Sequence, residues 1–232
     1  MLGRAAAPTE TISEQHGNTV LRLTRSVDAF DSADDWQSAG FKIVRAHETR
    51  MLVAGHKSVP DILFKKYPKK SDKTWDEQLK NYERRIEGIR RIKAVIEAHQ
   101  LRHVVAPQKW LLQLPAQFSS HGRPSYILAV ARCDILDKER SAQRYRDLSE
   151  DVLKDLVTVL FHFGGYDSSV KNVPVTKDGK VAFIDTDRWK QPKQEKLKER
   201  KYMKYLSEIL PSKRLKFAAN VWDNLFAARA PR

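Results

Sequence analysis

The order of apolar runs along the chain predicts an α+β fold in two lobes: a β-rich first half carrying one long helix, then a shorter, mostly helical half. Three observations predict it. Short runs rich in β-branched and aromatic residues occupy 41–46, 51–54 and 62–64, divided by His47-Glu48-Thr49 and by residues 55–60. A single long helical stripe follows: Trp75, Leu79, Tyr82, Ile86, Ile89 and Ile96 fall at steps of three, four and seven. Beyond residue 146 the periodicity is mostly helical.

The long helix opens at Thr74, where Thr74-x-x-Glu77 is a capping-box signature, and runs to about residue 99. Residues 104–105 and 110–114 read as short strands punctuated by Pro107 and Pro115. A turn at 119–122 leads to a continuous apolar strand over 126–131, and the polar stretch 134–146 closes the first half. A second helix begins near Ser149, with Glu150 and Asp151 suited to its positive end and Leu153, Leu156, Val157, Leu160 and Phe161 facing inward. Gly164-Gly165 stops it. Two β-rich runs, 173–176 and 181–184, flank Lys177-Asp178-Gly179-Lys180, and Asp-Gly is a tight-turn signal, so a hairpin is predicted. A Lys-rich connection, a helix over about 196–210, Pro211 and a last helix to about 228 complete the chain. The expected organisation is a flexible N-terminal tail over 1–38, a β-rich lobe over 39–133 and a reduced helical lobe over 134–232.

At 232 residues the chain is long enough to bury a substantial core. No run approaches the roughly 20 apolar residues of a membrane span. The first 18 residues lack the apolar segment of a cleaved secretory signal, although such a polar tail suits a specialised secretion system. The one cysteine, Cys133, excludes an internal disulfide and suits a reducing compartment. The expected location is the cytoplasm, or a host cell's cytosol after specialised secretion. A net charge of +14 asks for an acidic partner. No nucleic-acid motif, zinc-ligand spacing or serine-hydrolase elbow is present.

Chemistry concentrates between Tyr166 and Trp189, Y-D-S-S-V-K-N-V-P-V-T-K-D-G-K-V-A-F-I-D-T-D-R-W. Asp167, Asn172 and Asp185 are separated by five and then thirteen residues around the predicted hairpin. An acid and an amide precede one strand and a second acid ends its partner, so the three oxygen-bearing side chains are expected at one end of the hairpin. That donor set suits Mg²⁺ and triphosphate.

This arrangement resembles the protein-kinase fold, in which a catalytic-loop Asp is followed five residues later by an Asn and then by the metal-binding Asp of D-F-G. Gly165-Tyr166 stands where His-Arg is usual, and Thr186-Asp187 where Phe-Gly is usual. The resemblance spans about 40–189. With no A-P-E and only some forty residues beyond it, the outline is similar to the minimal kinases found among bacterial effectors.

The resemblance implies ATP and Mg²⁺ as cofactors, Asp167 as the residue that orients the attacking hydroxyl, and Asn172 and Asp185 as metal ligands. Asp187 would supplement the metal or pair with Arg188. Lys65, at the end of the third strand, matches the lysine of V-A-I-K and would hold the α- and β-phosphates; Lys66, on the opposite face, is the fallback. Glu83 lies four past Leu79 and three before Ile86, along the apolar stripe, which makes it the expected partner of Lys65. Glu87, among Arg84, Arg90 and Arg91, is the alternative partner and otherwise a surface pair. No glycine-rich loop is present: Ala46-His47-Glu48-Thr49-Arg50 stands in its place, with Arg50 as an added charge. Val130, Ala131, Arg132 and Cys133 match the inter-lobe segment whose backbone would bond adenine.

The resulting expectation is a phosphotransferase acting on a protein hydroxyl, of effector or toxin type, whose partners are a protein substrate and an acidic protein or anionic membrane surface reached by the basic segment 190–204. A pseudokinase-like binding module, a small-molecule kinase and a simple anion-binding protein are the alternatives.

Overall fold

Alternation of large apolar and polar residues after Gly40 builds the sheet. A computed structural model describes residues 18–19, 22–23, 31–46, 48, 50–118, 123–164, 169–187, 194–198 and 203–229. Strands β1 (Phe41–Arg45), β2 (Leu52–His56) and β3 (Val59–Lys66) form an antiparallel meander. β5 (Lys109–Gln113) and β6 (Tyr126–Ala131) complete it, giving a five-stranded antiparallel sheet in the order β1-β2-β3-β6-β5. Between them in sequence come helix α2 (Trp75–Ala98) and the short strand β4 (Val104–Val105). The predicted strands of this sheet and the long helix are present, within a few residues of the expected limits.

The chain divides into two compact units. The first comprises 1–83 and 108–132 and contains the five-stranded sheet; the second comprises 84–107 and 133–232. The boundary falls inside the long helix, its residues up to Glu83 grouping with the first unit and those from Arg84 with the second.

In the first unit the core is made by Trp36, Phe41, Ala54, Ile62, Phe64, Ile127 and Ala129. Trp36 corrects the expected limits of the tail. It sits on helix α1 (Ala33–Ser38) and is 1% exposed, its ring edge-on to Phe41 at 5.0 Å. Ser32 and Asp35 form a full capping box on this helix. Acidic residues around Trp36 disguised it: Asp35 caps the helix backbone, and Asp31 accepts a 2.9 Å ion pair from the buried Lys66.

The second unit is built on helix α4 (Glu150–Phe163), of which Leu153, Leu156, Val157, Leu160 and Phe161 are buried as predicted. Ser149 caps its start, and Gly164 closes it in the left-handed region at φ 62°. Helix α3 (Lys138–Tyr145) was not expected in the polar stretch. It is anchored by the buried Tyr145, whose hydroxyl donates to the Val173 carbonyl at 2.7 Å. Burial pushes that phenol's pKa above its ordinary value. Short helices α5 (Gln194–Lys198) and α6 (Lys204–Ile209) lead to α7 (Ser212–Arg229). Trp222 of α7 packs edge-on against Phe161 at 5.0 Å.

The predicted hairpin is present in its hydrogen bonds. Gly179 takes φ 86°, the left-handed conformation that the Asp-Gly turn requires. Thr176 N donates to Lys180 O at 2.8 Å and Ala182 N to Pro174 O at 2.9 Å. Strand β7 (Val181–Ala182) then pairs in parallel with β4.

Candidate functional site

The hairpin brings the main chain of Asn172 beside that of Ile184. Ile184 N donates to Asn172 O at 3.1 Å, so Asn172 lies beside the residue that precedes Asp185. Asn172 is held from behind by its own amide, which donates to Ser169 O at 2.8 Å. Asp167 lies outside the described residues.

Asp185 is not simply exposed at a strand end. The guanidinium of Arg85, on α2, reaches both acids of the I-D-T-D motif: Nη1 donates to Asp185 Oδ1, and Nη2 to Asp187 Oδ2 at 3.1 Å. The Arg85 side chain is 10% exposed, against 35% for Asp185 and 24% for Asp187, so the guanidinium is the inner partner and the carboxylates face outward. Between the acids, the buried Thr186 donates its hydroxyl to the Arg85 carbonyl at 2.8 Å. One turn along α2, Gly88 leaves room for that segment: a Cβ there would lie 2.1 Å from the Thr186 carbonyl oxygen. The D-T-D segment is therefore fixed to the helix by two ion pairs, one hydrogen bond and a close backbone approach.

Hard oxygen donors from one carboxylate and one amide suit Mg²⁺, which takes few protein ligands and completes its shell with water and phosphate oxygen. Asp185, the carboxylate of that pair, is already engaged by the Arg85 guanidinium. Among the described residues no group of three or more His, Cys, Asp or Glu gathers as a metal-ligand cluster.

Helix α2 corrects one expectation. Glu83 is exposed. The buried face of the helix instead runs through Tyr82, Arg85, Ile89 and Ile92. Successive residues turn by about 100°, which carries Glu83 away from that face on the side opposite Arg85. Glu87 makes the surface pairs foreseen for it, with Arg90 at 2.6 Å and Arg91 at 2.7 Å. Arg85 is the residue that sequence reasoning missed. A signal existed: it lies three residues past Tyr82 and four before Ile89, a charged position within the buried periodicity.

In the first unit, Lys65 is half-buried on β3, opposite Val53 of β2 and Leu128 of β6. Its neighbour Lys66 is buried, and its pair with Asp31 assigns it to holding the N-terminal helix. Arg50 is exposed ahead of β2. Val130 lies in β6, paired with Leu63 and Lys109. The next two amides are engaged within the sheet, Ala131 N donating to Gln108 O at 2.8 Å and Arg132 N to Asp61 O at 2.7 Å. Adenine recognition by those two N–H groups would have to displace these bonds. Cys133 is half-buried and in no disulfide.

Of the basic segment, Lys198 and Lys204 are exposed, while most of 190–204 lies outside the described residues. A surface cleft of about 480 Å³ lined by Arg146, Ser149, Leu153, Lys213, Arg214 and Phe217 includes none of the residues assigned to phosphate or metal. Among the described residues no helix is long and apolar enough to cross a membrane.

No family model matches this chain and no curated protein matches it, so the function rests on the residues and their geometry.

Proposed function

We propose that this protein is an ATP- and Mg²⁺-dependent phosphotransferase with a reduced kinase-like fold, transferring the γ-phosphoryl group to a protein hydroxyl. The observation that supports this reading is the backbone bond from Ile184 to Asn172, which brings the main chain of Asn172 beside the residue preceding Asp185. The expected order of three strands, a long helix and further strands before a helical remainder supports it.

In this scheme Asp167 orients the acceptor hydroxyl and receives its proton. Asn172 and Asp185 hold the divalent ion that neutralises charge between the phosphates. Lys65 binds the non-transferred phosphates as a fixed cation. Catalysis is then mainly positioning and charge neutralisation, as phosphoryl transfer demands. The acceptor is proposed to be a protein of a host cell, with effector or toxin activity. The test is incubation with γ-labelled ATP and a cell lysate. Asp167→Ala and Asp185→Ala are each expected to lower transfer by about a hundredfold or more. Full activity in either variant removes that residue from the mechanism.

The ion pairs from Arg85 to Asp185 and Asp187 favour a second reading, a pseudokinase-like module in which the motif is structural. Thermal unfolding with and without millimolar ATP and Mg²⁺ separates the two. A ligand that binds the folded state raises the midpoint by mass action, and no rise supports the module.

A further inference from the structure

The cleft of about 480 Å³ in the second unit gathers charge of both signs around apolar surface. We propose that it docks an acidic segment of a partner protein, a peptide that presents an apolar residue flanked by Asp or Glu. The proposal does not depend on the phosphotransferase reading, because none of the residues in that scheme lines the cleft.

One side of the cleft is the link from α3 to α4, with Arg146 and Asp147, and the first residue of α4, Glu150. The other is the first turn of α7, with Lys213 and Arg214. Leu153, one turn into α4, and Phe217, one turn past Lys213, supply the apolar surface. The two helices belong to one core, in which Phe161 of α4 meets Trp222 of α7 edge-on at 5.0 Å, so the two sides are held at a fixed spacing.

Among the described residues, none of these five charged side chains makes an ion pair or a side-chain hydrogen bond. Charges close by do pair where they can reach: Asp137 meets Arg140, and Asp134 meets Lys177. In the cleft the cations are left available, and they outnumber the acids three to two. With a chain charge of +14 behind them, they favour a negative segment and steer its approach. Half-buried Phe217 beside Leu153 offers that segment a place to bury one apolar side chain, the feature that gives an interface most of its affinity.

The acids select among polyanions. A nucleic-acid backbone carries phosphate at every step and would have to pass Asp147 and Glu150, which repel it. A flat anionic membrane cannot enter a cleft. A peptide can aim single carboxylates at Arg146, Lys213 and Arg214 and turn its backbone N–H groups toward the acids.

The experiment is fluorescence anisotropy of the full chain with a labelled peptide in which one leucine is flanked on both sides by glutamates. Saturable binding is expected, and its absence below about 1 mM peptide overturns the proposal. Lys213→Glu/Arg214→Glu is expected to weaken binding by about tenfold or more. Both side chains lie at the surface or half-buried, and acids suit the first turn of a helix, so the fold should persist, as circular dichroism will check. Lys57→Glu/Lys138→Glu makes the same change in net charge at exposed positions outside the cleft, and is expected to stay within about threefold of wild type. Equal weakening by the two double variants would mean that only net charge matters, and would overturn the proposal. Replacing the peptide's leucine by serine should cost about tenfold through the lost apolar burial; no loss shows that the apolar surface is not used and also overturns it. A thymidine oligonucleotide and phosphatidylserine vesicles serve as rival ligands. If either binds more tightly than the peptide and loses that binding in Lys213→Glu/Arg214→Glu, the cleft is a general polyanion site and the proposal fails. Labelled product from ATP is a separate readout, so docking and phosphoryl transfer can stand or fall independently.

Discussion

Arg85 is one of four arginines on α2, with Arg84, Arg90 and Arg91, and the one whose angle around the helix buries it. Its removal takes the guanidinium from two half-buried carboxylates. Arg85→Ala is therefore expected to cost about 3–5 kcal/mol of stability, the usual range for breaking a buried ion pair from one side. Chemical denaturation against wild type measures this. Gly88 gives a sharper test of the same contact. Because a Cβ would come within 2.1 Å of the Thr186 carbonyl oxygen, backbone must move to accommodate Gly88→Ala. The expected loss is about 1–3 kcal/mol, despite alanine's better helix propensity. A stabilised Gly88→Ala protein would show that α2 and the D-T-D segment are not in close contact.

At the scale of elements, α1 shows how a short acidic helix becomes part of a core. Trp36 contributes a large ring to the sheet's apolar face, and Asp31 accepts the buried Lys66 ammonium. Leu23 also packs against this core, so deletion of residues 1–30 is expected to lower the unfolding midpoint less than deletion of 1–38. Deletion of 1–38 removes both contacts, and the loss of Trp36 alone is worth about 3–5 kcal/mol by analogy with large-to-small core substitutions. Thermal unfolding of the two truncations distinguishes a tail from a core element. Helix α4 carries a second testable feature. His162 stacks with His99 at a ring separation of 4.4 Å. Burial, then the neighbouring His99 and Arg229, lowers its pKa below the ordinary 6.5. The unfolded imidazole thus takes a proton at a higher pH than the folded one. Stability should fall as pH drops below about 6.5, and go on falling until the folded value is passed. His162→Gln should flatten that part of the pH–stability curve. His56, lowered by burial and then by Lys57, acts in the same direction, so some pH dependence should remain in the variant.

At the scale of the whole molecule, the +14 charge is a property of solubility and association, not of the fold. It predicts retention on anionic lipid vesicles that weakens steeply with added salt, measured by co-sedimentation. Binding that is insensitive to salt would require an apolar or shape-specific contact instead. Each of the two units has its own hydrophobic core, one around Phe64 and the other around Leu156 and Leu160. Much of this was legible from the residues. The strand runs, the Thr74–Glu77 box, the apolar face of α4 and the Asp-Gly turn all appear where periodicity and turn chemistry placed them. Helix α3 was not legible, because its polar sequence shows too few apolar positions and only Ser141 and Tyr145 are buried.

The difference follows from the range of the forces. Capping, helical spacing and left-handed turns depend on residues within four of one another, so the amino-acid order alone determined most of the elements, their sequence and the Asp178-Gly179 turn. Which face of α2 is buried depends on contacts distant in the chain. Arg85 meets Asp185 one hundred residues later, and Asp31 meets Lys66 across thirty-five. Local spacing puts Arg85 within the Tyr82–Ile89 periodicity but names no partner for it. Only the packed structure decided which charge is enclosed, because only there does one angle around the helix exclude water.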